Sequence, residues 1–268
     1  MVTLTIDGAE TTVPEGTTIW EAARGLGIEI PVLCHDPRLR PVGVCRMCVV
    51  DVGARVLAAS CVRPCEPGMK VVTSSDKVLR QRTMLTELLM SDQPALCPKE
   101  SSTGDSQLHA LSRRFGATGE SLPRGQGRPK DASSKVIAVD HQACILCDRC
   151  VRGCDEIQNN DVIGRSGKGY ATKIAFDLDA PMGESSCVSC GECMAVCPTG
   201  STLCSGVCVN THTDPMDYTV TNPGLEQLDV LEEEGADPAK VIVGHAFVGP
   251  RSVEQIIDIC KRGASVQV

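Results

Sequence analysis

Cys144-Ile145-Leu146-Cys147-Asp148-Arg149-Cys150-Val151-Arg152-Gly153-Cys154 and Cys187-Val188-Ser189-Cys190-Gly191-Glu192-Cys193-Met194-Ala195-Val196-Cys197-Pro198 are two copies of one pattern, C-x2-C-x2-C-x3-C. Three thiolates on one tight loop can grip three corners of a [4Fe–4S] cubane, and the fourth corner needs a cysteine from elsewhere. With two such loops the fourth ligands are exchanged. Cys144, Cys147, Cys150 and Cys197 are expected to hold one cluster, and Cys154, Cys187, Cys190 and Cys193 the other. Asp155 follows Cys154 where Pro198 follows Cys197. Proline at that place shapes the backbone and is not a ligand, so the assignment is unaffected. Zinc is the competing use of dense cysteines, but its sites pair C-x2-C arms and lack the trailing fourth cysteine.

A second constellation lies upstream: Cys34-x10-Cys45-x2-Cys48-x12-Cys61. Around it, residues 1–75 alternate like β-strands. Val2, Leu4 and Ile6 share a face, and Asp7-Gly8 is a hairpin signal. Thr17 or Thr18 caps an expected helix from Ile19 to Leu26, closed near Gly27. Further strands are expected at Pro31–Leu33, Val49–Val52, Arg55–Ala58 and Lys70–Val72. One helix on a small mixed sheet is a β-grasp pattern. Four cysteines on such a scaffold suggest a [2Fe–2S] site at Cys34, Cys45, Cys48 and Cys61, although the spacing is not the C-x4-C-x2-C of plant ferredoxins. Cys65 competes with Cys61, and zinc remains an alternative.

The rest of the composition fits a metal-dependent scaffold. The chain of 268 residues holds 17 cysteines and only one Trp, two Tyr and three Phe. Large aromatic side chains, a usual source of buried area, are scarce. No stretch approaches the roughly 20 apolar residues of a membrane span. The N-terminal sequence lacks the basic and apolar regions of a signal peptide. A cytoplasmic location is therefore expected, where thiols stay reduced and serve metals rather than disulfides. The net charge of −8 argues against a nucleic-acid partner.

The expected architecture is α+β in four parts. A [2Fe–2S] β-grasp domain occupies residues 1–78. A helical region covers 79–137, its end (117–137) rich in Gly, Ser and Pro and read as a linker. A two-[4Fe–4S] domain of bacterial ferredoxin type covers 138–205. A β-α-β-α series follows at 206–268. Gly164–Gly169 is glycine-rich without phosphate-loop spacing and reads as a turn. The remaining thiols, Cys65, Cys97, Cys204, Cys208 and Cys260, read as small buried residues.

Leu33-Cys34-His35, Gly43-x-Cys45-Arg46-x-Cys48, Gly68-Met69-x-Val71 and Cys150-Val151-Arg152-Gly153-Cys154 carry a family likeness. Residues 1–200 resemble the iron–sulfur part of NAD-dependent formate dehydrogenase α subunits. They also resemble the small diaphorase subunit of NAD-reducing hydrogenases and the large peripheral subunit of respiratory complex I. Asn160–Gly164 and Pro181–Ser185 look closest to the formate dehydrogenases. The resemblance implies an electron-transfer subunit with no substrate site of its own. Its implied partners are a flavin- and NAD-binding subunit and a catalytic subunit, either a molybdenum or tungsten formate dehydrogenase or a hydrogenase. A free-standing multi-cluster ferredoxin is the alternative. The family also carries H-x3-C-x2-C-x5-C for a further [4Fe–4S] cluster. Here Gln93, Cys97, Glu100 and Ser106 stand at those positions, so that cluster is expected to be absent. Formate dehydrogenase α subunits continue into a molybdopterin domain, so the site of formate oxidation is not expected in this chain. Residues 206–268 resemble a fragment of phosphotriesterase-type amidohydrolases, with His212 and His245 at metal-ligand positions. A metallohydrolase role is disfavoured, because too few barrel strands and no H-x-H are present. Arg46, Arg149 and Arg152 read either as groups raising cluster potentials or as ordinary surface charge.

Overall fold

The computed structural model describes residues 1–204, apart from Leu96, Thr103, Gln126 and Lys135. Strands β1 (Val2–Ile6) and β2 (Ala9–Val13) form an antiparallel hairpin, with Val2 opposite Val13 and Ile6 opposite Ala9. Asp7 and Gly8 both take left-handed φ, 49° and 87°, the pairing that matches strand twist in a two-residue turn. Val2, Leu4 and Ile6 all point into the core, as their alternation predicts. Helix α1 (Ile19–Gly25) starts in a capping box, with Thr18 accepting from the Glu21 amide and Glu21 reaching back to Thr18. It buries Ile19, Ala22 and Ala23 against that sheet.

Strands β3 (Val49–Val50) and β4 (Ala58–Ala59) pair antiparallel, and β5 (Lys70–Val71) returns parallel to β1. The order β2-β1-β5 beneath one helix is the β-grasp arrangement. Its later strands are shorter than expected. Arg55–Ala58 is extended only at its end, and Pro31–Leu33 is not a strand. Proline has no amide to donate to a ladder, and this segment instead carries the chain into the turn at Cys34.

Helix α2 (Asp76–Ser91) is capped by Ser75 and turns Val78, Arg82 and Thr86 inward. Helices α3 (Pro98–Ser102) and α4 (Gln107–Phe115) follow. Leu108 and Leu111 pack on Leu33 and Met47, beside two of the candidate ligands. The expected linker is partly ordered. It carries β6 (Lys130–Asp131), which pairs with β7 (Ile137–Asp140). Arg128 donates to the carbonyls of His141 and Cys144 and lies over the ring of Tyr170. These contacts come from charged residues inside a stretch whose composition reads as loop.

Helix α5 (Arg149–Arg152) runs into a π-helical turn at Gly153–Ile157. Strands β8 (Ile163–Ser166) and β9 (Lys173–Phe176) form a hairpin. Half of the glycine-rich segment is therefore strand, and only the rest turns. Helix α6 (Glu192–Ala195) precedes β10 (Thr202–Cys204), which completes an antiparallel sheet of order β10-β7-β6. The core here is aliphatic apart from Phe176, and Cys154 and Cys193 pack directly in it. The expectations for 206–268, including His212 and His245, lie outside the described residues. Among the described residues no helix is long and apolar enough to cross a membrane.

Arg82 ties the helical region to the β-grasp unit. Its buried guanidinium donates to the carbonyls of Met47 (3.2 Å) and Val49 (2.8 Å). Burial lowers its pKa to about 10, which still leaves it charged at neutral pH. Arg82→Ala strands two buried carbonyls and is expected to cost about 2–4 kcal/mol. The loss should appear as a lower thermal midpoint and faster amide exchange over residues 47–50.

Candidate iron–sulfur centres

The thiols of Cys34, Cys45, Cys48 and Cys61 meet between the β-grasp unit and the helices. The Cys48 and Cys61 sulfurs are 3.3 Å apart. The amide of Cys34 donates to the Cys45 sulfur at 3.3 Å, and that of Cys45 to the Cys34 sulfur at 3.4 Å. Arg46 holds a left-handed φ of 60°, which turns the chain so that Cys45 and Cys48 face the same side. Sulfur–sulfur hydrogen bonding splits the four thiols. Cys34 and Cys48 are driven down by the protons of Cys45 and Cys61, which are themselves driven up. Thiols this crowded favour a cation that takes all four as thiolates. Cys65 is buried in the neighbouring apolar core, where desolvation raises its pKa, and it exchanges no hydrogen bond with the four. Of the two competitors Cys61 and Cys65, Cys61 is the one whose sulfur lies against another of the set.

The two downstream loops are built alike. Leu146 and Ser189 are left-handed (φ 53° and 57°), as are Asp148 and Gly191 (59° and 81°). In each loop the left-handed residue between the first two cysteines donates its amide to the first sulfur. Leu146 bonds Cys144, and Ser189 bonds Cys187, both at 3.4 Å. Cys144, Cys147, Cys150 and Cys197 line one small cavity. Cys154, Cys187, Cys190 and Cys193 line another. The structure thus brings together the two exchanged sets that the spacing predicts.

Desolvation raises most of these thiols, with nearby thiolates adding to it. Cys147 is pushed up to about 12, and Cys150 and Cys193 are raised strongly. Cys197 is the exception. Burial opposes it, but hydrogen bonds from Thr202 and Thr199 and the charge of Lys99 pull it down. Among the described residues no three His, Cys, Asp or Glu side chains close around a single metal ion. Four sulfurs around a shared space suit a multi-iron cluster with a ligand at each corner.

Buried charge joins the upstream site to the downstream pair. Arg152 donates to the carbonyls of Cys34 (2.5 Å), Arg40 (2.6 Å) and Cys147 (3.5 Å). One guanidinium therefore touches a residue of each of two cysteine sets. Arg149 donates to Asp36 (2.7 Å), Gln107 (2.8 Å) and the carbonyl of Leu33 (3.3 Å). Asp36 also pairs with Arg38, and Arg38 lies 3.2 Å from Glu192. Burial opposes ionisation of Asp36, but Arg38 and Arg149 outweigh it and hold its pKa at about 2. Arg149 and Arg152 are both buried, which rules out the surface-charge reading. Of the three arginines, only Arg46 is exposed. Asp36, Arg38 and Glu192 escape sequence reasoning. Their one visible trace is that Arg149 and Glu192 occupy the same place in the two repeats with opposite charge.

Residues at the degenerate cluster positions are buried or engaged in bonding. Gln93 donates to the Ala143 carbonyl at 3.3 Å, and Cys97 to that of Thr199 at 3.2 Å. Glu100 pairs with Arg113. Ser106 caps α4 and bonds His109.

Comparison with known proteins defines the class. The 2Fe-2S iron-sulfur cluster binding domain family matches residues 1–76, and the 4Fe-4S dicluster domain family matches residues 143–201. The chain carries both domains and is an iron–sulfur protein. It is 39% identical over 210 residues to the NADP-reducing hydrogenase subunit HndD of Solidesulfovibrio fructosivorans, covering 75% of this chain and 36% of that protein. It is 36% identical over 205 residues to the NADPH-Fe(3+) oxidoreductase subunit alpha of Geobacter sulfurreducens, covering 76% and 24%. With a subunit of the NADH-quinone oxidoreductase of Mycobacterium tuberculosis it shares 33% identity over 231 residues, covering 84% and 28%. The chain thus spans about a quarter to a third of these curated relatives. The crystal structure of an NAD+-reducing [NiFe]-hydrogenase in the H2-reduced state superposes with a TM-score of 0.70 at 29% identity, covering 83% of this chain and 94% of that one.

Cys61→Ser is expected to abolish the [2Fe–2S] signal in electron paramagnetic resonance of the reduced protein. Cys65→Ala should leave that signal in place.

Proposed function

We propose that the chain is the iron–sulfur electron-transfer subunit of a cytoplasmic NAD(P)-linked oxidoreductase complex. Cys34, Cys45, Cys48 and Cys61 would hold one [2Fe–2S] cluster. Cys144, Cys147, Cys150 and Cys197 would hold one [4Fe–4S] cluster, and Cys154, Cys187, Cys190 and Cys193 a second. Such clusters supply one-electron transfer when bound. The observation that carries the reading is the presence of three four-cysteine sets, with Arg152 bonded to a residue of the first set and of the second.

The protein's own residues prepare that transfer. Amides aimed at the Cys144 and Cys187 sulfurs stabilise thiolate charge, and aliphatic walls of Ile137, Val139, Val162 and Ile174 exclude water from the two downstream sites. Arg149 and Arg152 fix the upstream loop against the downstream one. The proposed role is relay rather than substrate chemistry. The relatives' names support a pyridine-nucleotide end and a catalytic end of the relay, and the family resemblance adds a flavin-binding subunit at the first. A hydrogenase-type catalytic subunit is favoured over a formate dehydrogenase, because hydrogenases are among the similar proteins.

Iron and acid-labile sulfide analysis is the test. About ten iron atoms per chain are expected, from one two-iron and two four-iron clusters. About fourteen would restore a cluster at Gln93–Ser106, and zinc without sulfide would end the reading. Stoichiometric co-purification with a flavoprotein is expected. A monomer in native extract would favour the free-standing ferredoxin instead.

A further inference from the structure

The segment that would carry the family's further cluster holds a buried cation. Lys99 is only 6% exposed. Its ammonium donates to the carbonyl of Cys197 at 2.9 Å and lies 3.5 Å from Asp105. The side chain is laid flat against the loop after Cys197. A Cβ on Gly200, whose φ is 76°, would fall 2.3 Å from Lys99 Cβ, so only glycine leaves it room. The two repeats differ at this point. The carbonyl of Cys154, the counterpart of Cys197, accepts from the neutral amide of Asn160 at 3.0 Å. One exchanged ligand therefore faces an ammonium and the other an uncharged donor.

We propose that Lys99 is a potential-setting residue, a resident cation that makes the cluster held by Cys144, Cys147, Cys150 and Cys197 easier to reduce. This rests on the [4Fe–4S] assignment made above. Reduction adds one negative charge to a cluster, and net charge and hydrogen bonding around it set its potential. A buried positive charge beside a ligand favours the added electron, and at this depth salt screens it weakly. Asp105 is one-third exposed, so solvent screens it more than it screens the ammonium, and it weakens the effect without cancelling it. No electron or proton is taken up by Lys99 itself. The segment supplies a fixed field beside that cluster.

Redox titration of the cluster-loaded full chain, followed by electron paramagnetic resonance, tests the proposal. In Lys99→Met, the reduced-to-oxidised ratio of one [4Fe–4S] cluster at its native midpoint should fall about tenfold, as expected for loss of one nearby charge. The second [4Fe–4S] and the [2Fe–2S] signals should keep their midpoints. Lys99→Arg should restore the native value, and Asp105→Asn should shift the same cluster in the opposite direction by less. An unchanged midpoint at full iron content overturns the proposal. So does an equal shift of both [4Fe–4S] clusters, or a loss of iron in Lys99→Met, which would make the residue structural. The iron count of the unsubstituted protein tests the cluster assignment separately.

Discussion

A chain of alternating charge joins the two repeats to the loop after Cys34: Arg149, Asp36, Arg38, Glu192. Isolated charges are expensive to bury, so the buried Arg149, Asp36 and Glu192 need partners, and the exposed Arg38 pairs with both carboxylates. Arg149 and Glu192 sit on the two short helices of the duplicated unit, in equivalent places. Asp36 and Arg38 belong to one loop of the β-grasp unit, just after Cys34. The loop is clasped by both repeats through opposite charges. Glu192 makes the weakest link, since its ion contact with Arg38 lacks hydrogen-bond alignment and burial raises its pKa. Arg152 adds the closing bonds, directly to the backbone of Cys34 and Cys147. The relative placement of the cysteine sets follows from this clasp more than from apolar packing.

That division of labour explains the sparse aromatic content. A β-grasp sheet this short and a ferredoxin unit this small bury little area. What would be core is occupied by sulfur, with aliphatic residues around it. The helical region then acts as a cover. Gln93, Cys97, Lys99 and the amide of Gln107 all bond to backbone carbonyls between Ala143 and Thr199. These donors close the wall beside the cavity lined by Cys144, Cys147, Cys150 and Cys197.

The duplicated cysteine loops are legible in the sequence because ligand geometry demands a fixed spacing. Thr18 with Glu21, and Asp7 with Gly8, are legible for a similar reason: local hydrogen bonding and backbone handedness are encoded within four residues. The choice of Cys61 over Cys65 is not, because both are buried and only sulfur proximity separates them. The strands expected near Pro31 and Arg55 do not form in full, since the apolar runs there serve the loop carrying Cys34 and the edge of β4. Arg128, Arg149 and Arg152 are hidden as a group. Composition treats arginine as solvated, and their partners, backbone carbonyls and for Arg149 also Asp36 and Gln107, are ones that no pattern announces.

Gly153 and Val196 occupy equivalent positions in the two repeats, one residue before each exchanged cysteine. They face each other: a Cβ on Gly153 would stand 3.2 Å from Glu192 and 3.3 Å from Val196. The contact has room for one branched side chain, not two. Whatever identity the repeats once shared at this position, the molecule now depends on their difference. Divergence here works as a ratchet: copying Val196 into the first repeat would close the gap through which they touch, and copying Gly153 into the second would leave it unfilled.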